Sequence, residues 1–306
     1  MHADWLVPDW PAPPGVRAVF TTRHGGVSPA PFDSLNLGDH VFDAPAHVAA
    51  NRARLQGAIG AQPVFLKQVH GTAVTALRRG MPDGLAFDAC FTRGSALACT
   101  IMVADCLPVL LATTDGQAVA AAHAGWRGLV GEGVPAPGLD EGPGIRWGRQ
   151  NSQQKASNGV LEAVYQSFMP VVTVNSAKYA TNIIAWLGPC IGPTAFEVGA
   201  DVKALLAASQ GDAPECFRPA PGGKFWVDLA GLARRRLQAL GVHAIYGNDS
   251  TPDWCTASQP LRFYSHRRDA GLVSQGGNGV GSAVRSTGRM AACIWLQADS
   301  DGVGRA

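Results

Sequence analysis

Much that would assign a function quickly is missing from this 306-residue chain. Its 25 Lys and Arg are nearly balanced by 23 Asp and Glu, a formal net charge of +2, so there is no basic surplus of the kind that holds nucleic acid. No stretch reaches the roughly 18–20 consecutive apolar residues of a membrane-crossing helix, so no membrane partner is expected. The opening MHADWLVPDWPAPP has neither a basic n-region nor an apolar core, so it does not read as a signal peptide. The seven cysteines (Cys90, Cys99, Cys106, Cys190, Cys216, Cys255 and Cys293) include no CxxC pair, which leaves a zinc ribbon or a thioredoxin motif without support. Odd in number, scattered and mostly inside apolar runs, they point to reduced thiols and a cytoplasmic protein rather than a disulfide framework. The eight histidines include no HxH pair, and such pairs are what a trinuclear copper centre would need. No linker or internal repeat divides the chain.

What is present is a globular composition. Hydrophobic residues make up 46% and charged residues 16%, while 37 Gly and 21 Pro imply many tight turns. Apolar runs predict strands over 17–22, 64–71, 87–92, 96–112 with a break at Asp105-Cys106, 117–126, 262–268 and 289–297, a buried strand followed by a Gly-Pro turn within 182–193, and another strand at HAIYGN. Helical spacing predicts helices over 45–61, where Val48, Leu55 and Ile59 recur on one face, and over 159–168, 201–209 and 227–240. Strands and helices mix without a strict βαβ period. The expectation is an α+β fold, a single layered domain over 1–306 with mixed β-sheets flanked by helices. Two polar, Gly-rich segments, about 135–158 and 271–284, read as loop insertions, and the glycines of the second do not fit a dinucleotide-binding GxGxxG.

The stretch VAAAHAGWRGLVGEG (119–133) leaves an apolar strand on His123, Gly125, Trp126, Arg127 and Gly128. A plain turn does not require that set. His70, at the end of VFLKQVHG, and Cys106, in ADC, stand at similar junctions of apolar run and turn, where sheet edges gather functional groups. Two imidazoles and a thiolate form a His2Cys donor set, which suits zinc with a fourth position open. Spacing alone does not decide this: a strand-end His is usually just hydrogen-bonded, and Cys106 could be a small buried hydrophobe.

TTRHGGVS, SLNLGDHV, NRARL, LKQVHG, ADCLPVLL, AAAHAGWRGL, LGPCIGP with FEVG, FYSHRRD and TGRMAACIWL occur in that order from Arg17 to Leu296. On these motifs the chain resembles the YfiH-type family, once labelled polyphenol oxidase or laccase-domain proteins and later assigned purine nucleoside phosphorylase activity. The resemblance implies a CNF/YfiH-like fold and a metal, mostly zinc with copper possible, on His70, Cys106 and His123. It also implies phosphorolysis of adenosine, inosine, guanosine or methylthioadenosine, with an adenosine deaminase side activity. The partners would then be a nucleoside and phosphate, with a homo-oligomer possible. The intervening 135–158 and the lengthened 271–284 depart from the family pattern.

Phosphate calls for guanidinium groups. Arg127, four residues after a ligand, is the favoured one and joins Cys106, His70 and His123 as a catalytic candidate; Arg23, Arg52 and Arg267-Arg268 are the others. Asn36 and His40 could meet ribose hydroxyls or a base edge, although Asn and Asp commonly close their own turns. Gln68, two residues before His70, would share its strand face. Trp126 could stack on a purine or anchor the core. Asp105 could orient a ligand His or cap a turn. The Gly188-Pro189-Cys190 turn reads as structural. Two other chemistries stay open: a copper-binding, laccase-like polyphenol oxidase, and a cysteine hydrolase with Cys106 as nucleophile and His123 or His70 as base.

Overall fold

A computed structural model describes residues 1–131, 159–168, 182–210, 213–274 and 283–298. Its strands are β1 (Val16–Phe20), β2 (Gln62–Phe65), β3 (Val74–Ala76), β4 (Ala89–Thr92), β5 (Leu97–Val103), β6 (Leu107–Thr113), β7 (Val119–Ala124), β8 (Ile183–Leu187), β9 (Glu197–Val198), β10 (Phe217–Ala220), β11 (Lys224–Val227), β12 (Ala244–Gly247), β13 (Gly271–Ser274), β14 (Ala283–Ser286) and β15 (Met290–Leu296). The helices are α1 (Pro45–Ile59), α2 (Trp126–Val130), α3 (Val160–Phe168), α4 (Ala200–Gln210), α5 (Leu229–Ala239) and α6 (His266–Asp269).

Two mixed sheets carry the architecture. One has the order β1-β15-β5-β2, the other β12-β8-β6-β7-β4-β3. Strand alternation sends every second side chain to the opposite face. On β15, Met290, Ala292 and Ile294 meet Leu110, Ala112, Val119 and Ala121 of the second sheet, forming the core between the sheets. Ala291, Cys293 and Trp295, on the outer face, pack with Leu55 and Ile59 of α1. On the far face of the second sheet, Val109, Leu111, Ala120 and Ala122 pack with α3 and α5 through Val164, Phe168, Leu232 and Leu237. The result is four layers, helix–sheet–sheet–helix, as the α+β reading expected. At roughly 25 cal/mol per Å² of apolar surface, each fully buried Leu or Phe here contributes about 1.5–3 kcal/mol.

Local chemistry explains the elements. Helix α1 starts with Pro45 in its first turn and buries Val48, Asn51, Leu55 and Ile59 along one stripe. It stops at Gly60, whose φ of 66° a side chain would disfavour. The alanines of β7 let helices approach one face and the partner sheet the other. No described helix is long and apolar enough to cross a membrane.

Three expectations are corrected. The run 64–71 is not one strand: β2 ends at Phe65, and His70 lies in a loop with φ 62°. The run 262–268 is a turn leading into α6, because Ser265 caps that helix by accepting from the Arg268 amide. The segment 271–284 is not wholly loop, since β13 and β14 pair antiparallel from Gly271↔Ser286 to Ser274↔Ala283. The insertion expected at 135–158 lies outside the described residues.

Candidate metal centre

The site forms where the core between the sheets ends. On β7, Val119, Ala121 and His123 alternate onto the inner face, and His123 is 3% exposed. Its neighbour across the sheet is Pro108 of β6, just past Cys106. Cys106 occupies the turn joining β5 to β6, after Asp105, whose φ is 90°. His70 reaches the same point from the loop between β2 and β3. Positive φ at two non-glycine residues costs about 1–3 kcal/mol each, and such backbone concentrates at functional sites. The ligating atoms of His70, Cys106 and His123 lie within 4.8 Å of one another. The His70 and His123 rings meet edge to face, with centroids 4.8 Å apart. His123 is buried, Cys106 half-buried and His70 exposed, so the group opens to solvent on the His70 side.

Gly125 gives the sulfur its room. A Cβ there would stand 2.9 Å from Cys106 Sγ and 3.4 Å from His70 Cδ2. This is what the glycine in HAGWRG supplies: close approach of backbone to a ligand atom.

Asp88 orders the group. It is fully buried just ahead of β4, and its Oδ1 accepts from His123 Nδ1 at 2.9 Å and from the His70 amide at 2.9 Å. Its Oδ2 accepts from the Gly71 amide at 2.7 Å and the Val69 amide at 3.2 Å. One carboxylate thus fixes the His123 tautomer, leaving Nε2 for the site, and pins the loop that carries His70. Burial raises the Asp88 pKa, and the His123 contact with the amide donors outweighs it, holding Asp88 below the ordinary carboxylate range. Sequence reasoning missed Asp88; the available signal was an acidic residue opening the apolar run FDACFT.

The electrostatics favour a charged pair. Burial pushes the Cys106 thiol up, but His123 and then His70 outweigh it and bring its pKa down to about 6. Burial lowers His123, and the Cys106 charge together with Asp88 raises it to about 10. A thiolate beside imidazole donors fits a zinc- or copper-type ion, for which a deprotonated sulfur and neutral ring nitrogens are the ligating forms.

The other sequence candidates are placed as follows. Arg127 is half-buried on α2, its guanidinium 4.2 Å above the Trp126 ring, and its buried Nε has no partner among the described residues. Asn36 is fully buried and spent on structure: its amide donates to Gly38 O and Asp43 Oδ2, and its Oδ1 accepts from the Gly38 and Arg289 amides. His40 is exposed beside Asp39 at 3.4 Å. Gln68 shares no strand face with His70; it pairs with the Met102 backbone, donating to O at 2.7 Å and accepting from N at 2.8 Å. Arg52 stacks 4.0 Å from the Phe65 ring and pairs with Asp39 and Asp83. Arg23 is held by Asp33 and by Pro260 O. The main polar groups of Asn36, Gln68 and Arg23 are thus hydrogen-bonded within the protein.

Asp105 does not orient a ligand His. Its carboxylate accepts from Thr256 Oγ1 and from the Arg267 amide, each at 2.6 Å. Arg267 spans the carbonyls of Ala195 and Glu197, and Arg268 is engaged by Asp269 and three carbonyls. Cys190 is buried behind the β8 end, where Asn248 donates to its sulfur.

A four-layer α+β domain with a His2Cys group at the end of its sheet-to-sheet core defines a protein with a candidate open metal centre. A family model described as multi-copper polyphenol oxidoreductase laccase matches residues 17–137 and 157–297. The chain is 42% identical over 294 residues to a purine nucleoside phosphorylase of Pseudomonas aeruginosa, covering 96% of this chain and 98% of that protein. It is 40% identical over 293 residues to purine nucleoside phosphorylase YfiH of Escherichia coli strain K12, covering 95% and 98%. Among solved structures it is similar to protein NMB0706 of Neisseria meningitidis, with TM-score 0.74, 36% identity and coverage of 96% and 100%. It is also similar to YlmD of Geobacillus stearothermophilus, with TM-score 0.76, 26% identity and coverage of 97% and 98%. The chain belongs to the YfiH-type family, the one this laccase model describes.

Proposed function

We propose that the chain is a metal-dependent purine nucleoside phosphorylase, with zinc on His70, Cys106 and His123, acting on adenosine, inosine, guanosine or methylthioadenosine. The single observation that carries the reading is the convergence of those three donors around one opening, in a chain whose relatives bear that activity in their names. A bound ion would supply Lewis acidity at the open position. The chain's own residues supply the rest. Asp88 sets the His123 tautomer and anchors the His70 loop. Gly125 keeps the space beside the sulfur clear. Arg127 offers a guanidinium for phosphate. In the reaction a phosphate oxygen forms a bond to C1′ of the ribose while the bond from C1′ to the base breaks. The electron pair leaves with the base nitrogen, which takes up a proton, and ribose 1-phosphate results, or 5-methylthioribose 1-phosphate when the nucleoside is methylthioadenosine. Hydrolytic loss of ammonia from adenosine is the side activity in this reading. The cytoplasm, with its free phosphate and reduced thiols, suits both the reaction and Cys106.

Each nucleoside incubated with the purified protein, with and without phosphate, tests the reading. Free base and the sugar 1-phosphate should form only when phosphate is present. Cys106→Ala should remove bound metal and turnover together; turnover that survives without metal refutes the mechanism. The low Cys106 pKa favours one second reading, a cysteine hydrolase using Cys106 with His123. Such an enzyme would keep working after chelation, whereas the phosphorylase would stop. A copper polyphenol oxidase is the weaker alternative, since the other histidines do not join the His2Cys group among the described residues.

A further inference from the structure

Cys106 carries the sulfur of the candidate centre. A cysteine has one side-chain torsion with a few staggered settings, so its sulfur stands where the local backbone sends it. The backbone just before it is unusual. Asp105 has a φ of 90°, in the left-handed region, and is only 9% exposed. Asn and Asp tolerate that region better than other residues with side chains, yet such a conformation persists only where the surroundings hold it. Asp105 is held from three sides. Its carbonyl accepts from the Ile191 amide at 2.9 Å, its Oδ1 from Thr256 Oγ1 at 2.6 Å and its Oδ2 from the Arg267 amide at 2.6 Å.

The donors are themselves anchored. Thr256 is fully buried, its amide donates to Cys190 O at 2.9 Å, and its carbonyl accepts from Arg268 Nη1 at 2.6 Å. The Arg267 guanidinium reaches the carbonyls of Ala195 at 3.3 Å and Glu197 at 3.2 Å, which ties the start of α6 to the beginning of β9. Ile191 belongs to the LGPCIGP turn that follows β8. Thr256 and Arg267 stand 151 and 162 positions from Asp105 in the chain. One residue therefore gathers three distant segments behind the turn that presents the sulfur. Asp88 does the corresponding work for the other two donors, holding the His123 ring and the His70 loop.

We propose that Asp105 is the positioning residue for the sulfur ligand: its carboxylate, clamped by Thr256 and the Arg267 amide, fixes the turn that aims Cys106 Sγ at His70 and His123. The assignment rests on the metal reading of those three residues, and Asp105 acts through Cys106 rather than on substrate. Titration of the metal-free protein with cobalt(II), in competition with a chelator, tests it together with the near-ultraviolet thiolate-to-cobalt charge-transfer band, which reports sulfur at bonding distance. A role confined to fold stability would move the unfolding midpoint and leave the band of the folded protein unchanged. Asp105→Gly keeps the left-handed backbone accessible while removing the carboxylate. It should weaken cobalt(II) affinity by about 10–100-fold and diminish the band. Asp105→Asn should recover most of both, because its oxygen can accept from the Arg267 amide while its NH2 donates to Thr256 Oγ1, a hydroxyl that accepts as well as donates. Thr256→Val removes one of the two clamps and should fall between wild type and Asp105→Gly. A folded Asp105→Gly with wild-type affinity and band overturns the assignment, as does an Asn variant no better than the Gly variant. If Asp105→Gly does not fold, Thr256→Val decides, and wild-type affinity and band there overturn the assignment equally. Wild-type protein that shows no thiolate-to-cobalt band refutes the metal reading itself, and this assignment with it.

Discussion

Replacing Asp88 by asparagine isolates the group on which the candidate centre depends. The carboxylate uses both oxygens as double acceptors, Oδ1 for His123 Nδ1 and the His70 amide, Oδ2 for the Gly71 and Val69 amides. An amide has one oxygen, so in either orientation an NH2 group faces two donors. Hydrogen bonds to a charged group contribute about 1.5–3 kcal/mol each, so losing two costs roughly 3–6 kcal/mol. That is a large part of the roughly 5–15 kcal/mol that stabilises an ordinary domain. If the NH2 group turns toward His123, relief comes only by moving the imidazole proton to Nε2, the nitrogen the metal needs. If it turns the other way, the His70 loop loses its anchor. Either way metal affinity should drop by about 10–100-fold, the usual effect of removing a carboxylate that orients a ligating His. Titration against a competing chelator measures the affinity, and denaturant unfolding of the metal-free protein measures the stability. An Asp88→Asn variant with unchanged affinity and unchanged midpoint would refute the assignment of Asp88 as the organiser.

Gly125→Ala places a methyl group 2.9 Å from Cys106 Sγ, so it should lower metal content and destabilise by about 1–3 kcal/mol, read by metal analysis and unfolding. Gln68→Ala should cost about 1–3 kcal/mol, because it strands the Met102 backbone groups, while the nucleoside KM of the folded fraction stays constant; a changed KM would return Gln68 to the substrate. In the metal-free protein, alkylation should report Cys106, since the other described cysteines are buried. The rate should hold down to about pH 6, where the thiolate protonates, whereas a midpoint near the ordinary value of 9.0 would contradict the paired site. The stability linkage of the pair has an unusual sign. The lowered thiol stabilises increasingly as pH rises from about 6 toward 9.0, while the raised His123 loses its contribution from 6.5 toward about 10. Across neutral pH, thiolate with imidazolium in the folded state carries as many protons as thiol with neutral imidazole in the unfolded state. The pair's contribution is therefore flat there and falls only as pH rises through about 9 to 10, which unfolding midpoints of the metal-free protein against pH will show.

The layered α+β class, helices α1, α3, α4 and α5, and the break between β5 and β6 at Asp105-Cys106 were legible in the sequence, because apolar spacing is a local property and burial enforces it. The candidate donor set was suggested by residue types standing where apolar runs end, and it took the family resemblance to imply it. The sequence could not say that His70 comes from a loop rather than a strand end, because what places it is Asp88 accepting its amide from 18 positions away. Asp105 and Asp88 look alike in the sequence, each an acidic residue beside an apolar run. Tertiary contacts send one to Thr256 and Arg267 and the other to His123. For Asn36, Gln68 and Arg23 the sequence left substrate and structural roles open, and only the fold shows their polar atoms hydrogen-bonded to backbone and neighbouring side chains. Periodicity and residue chemistry determine which groups a chain can bring to a site; which of them are free to act there is decided by long-range hydrogen bonding and sheet register, since these set who is buried, who is paired and who faces the opening.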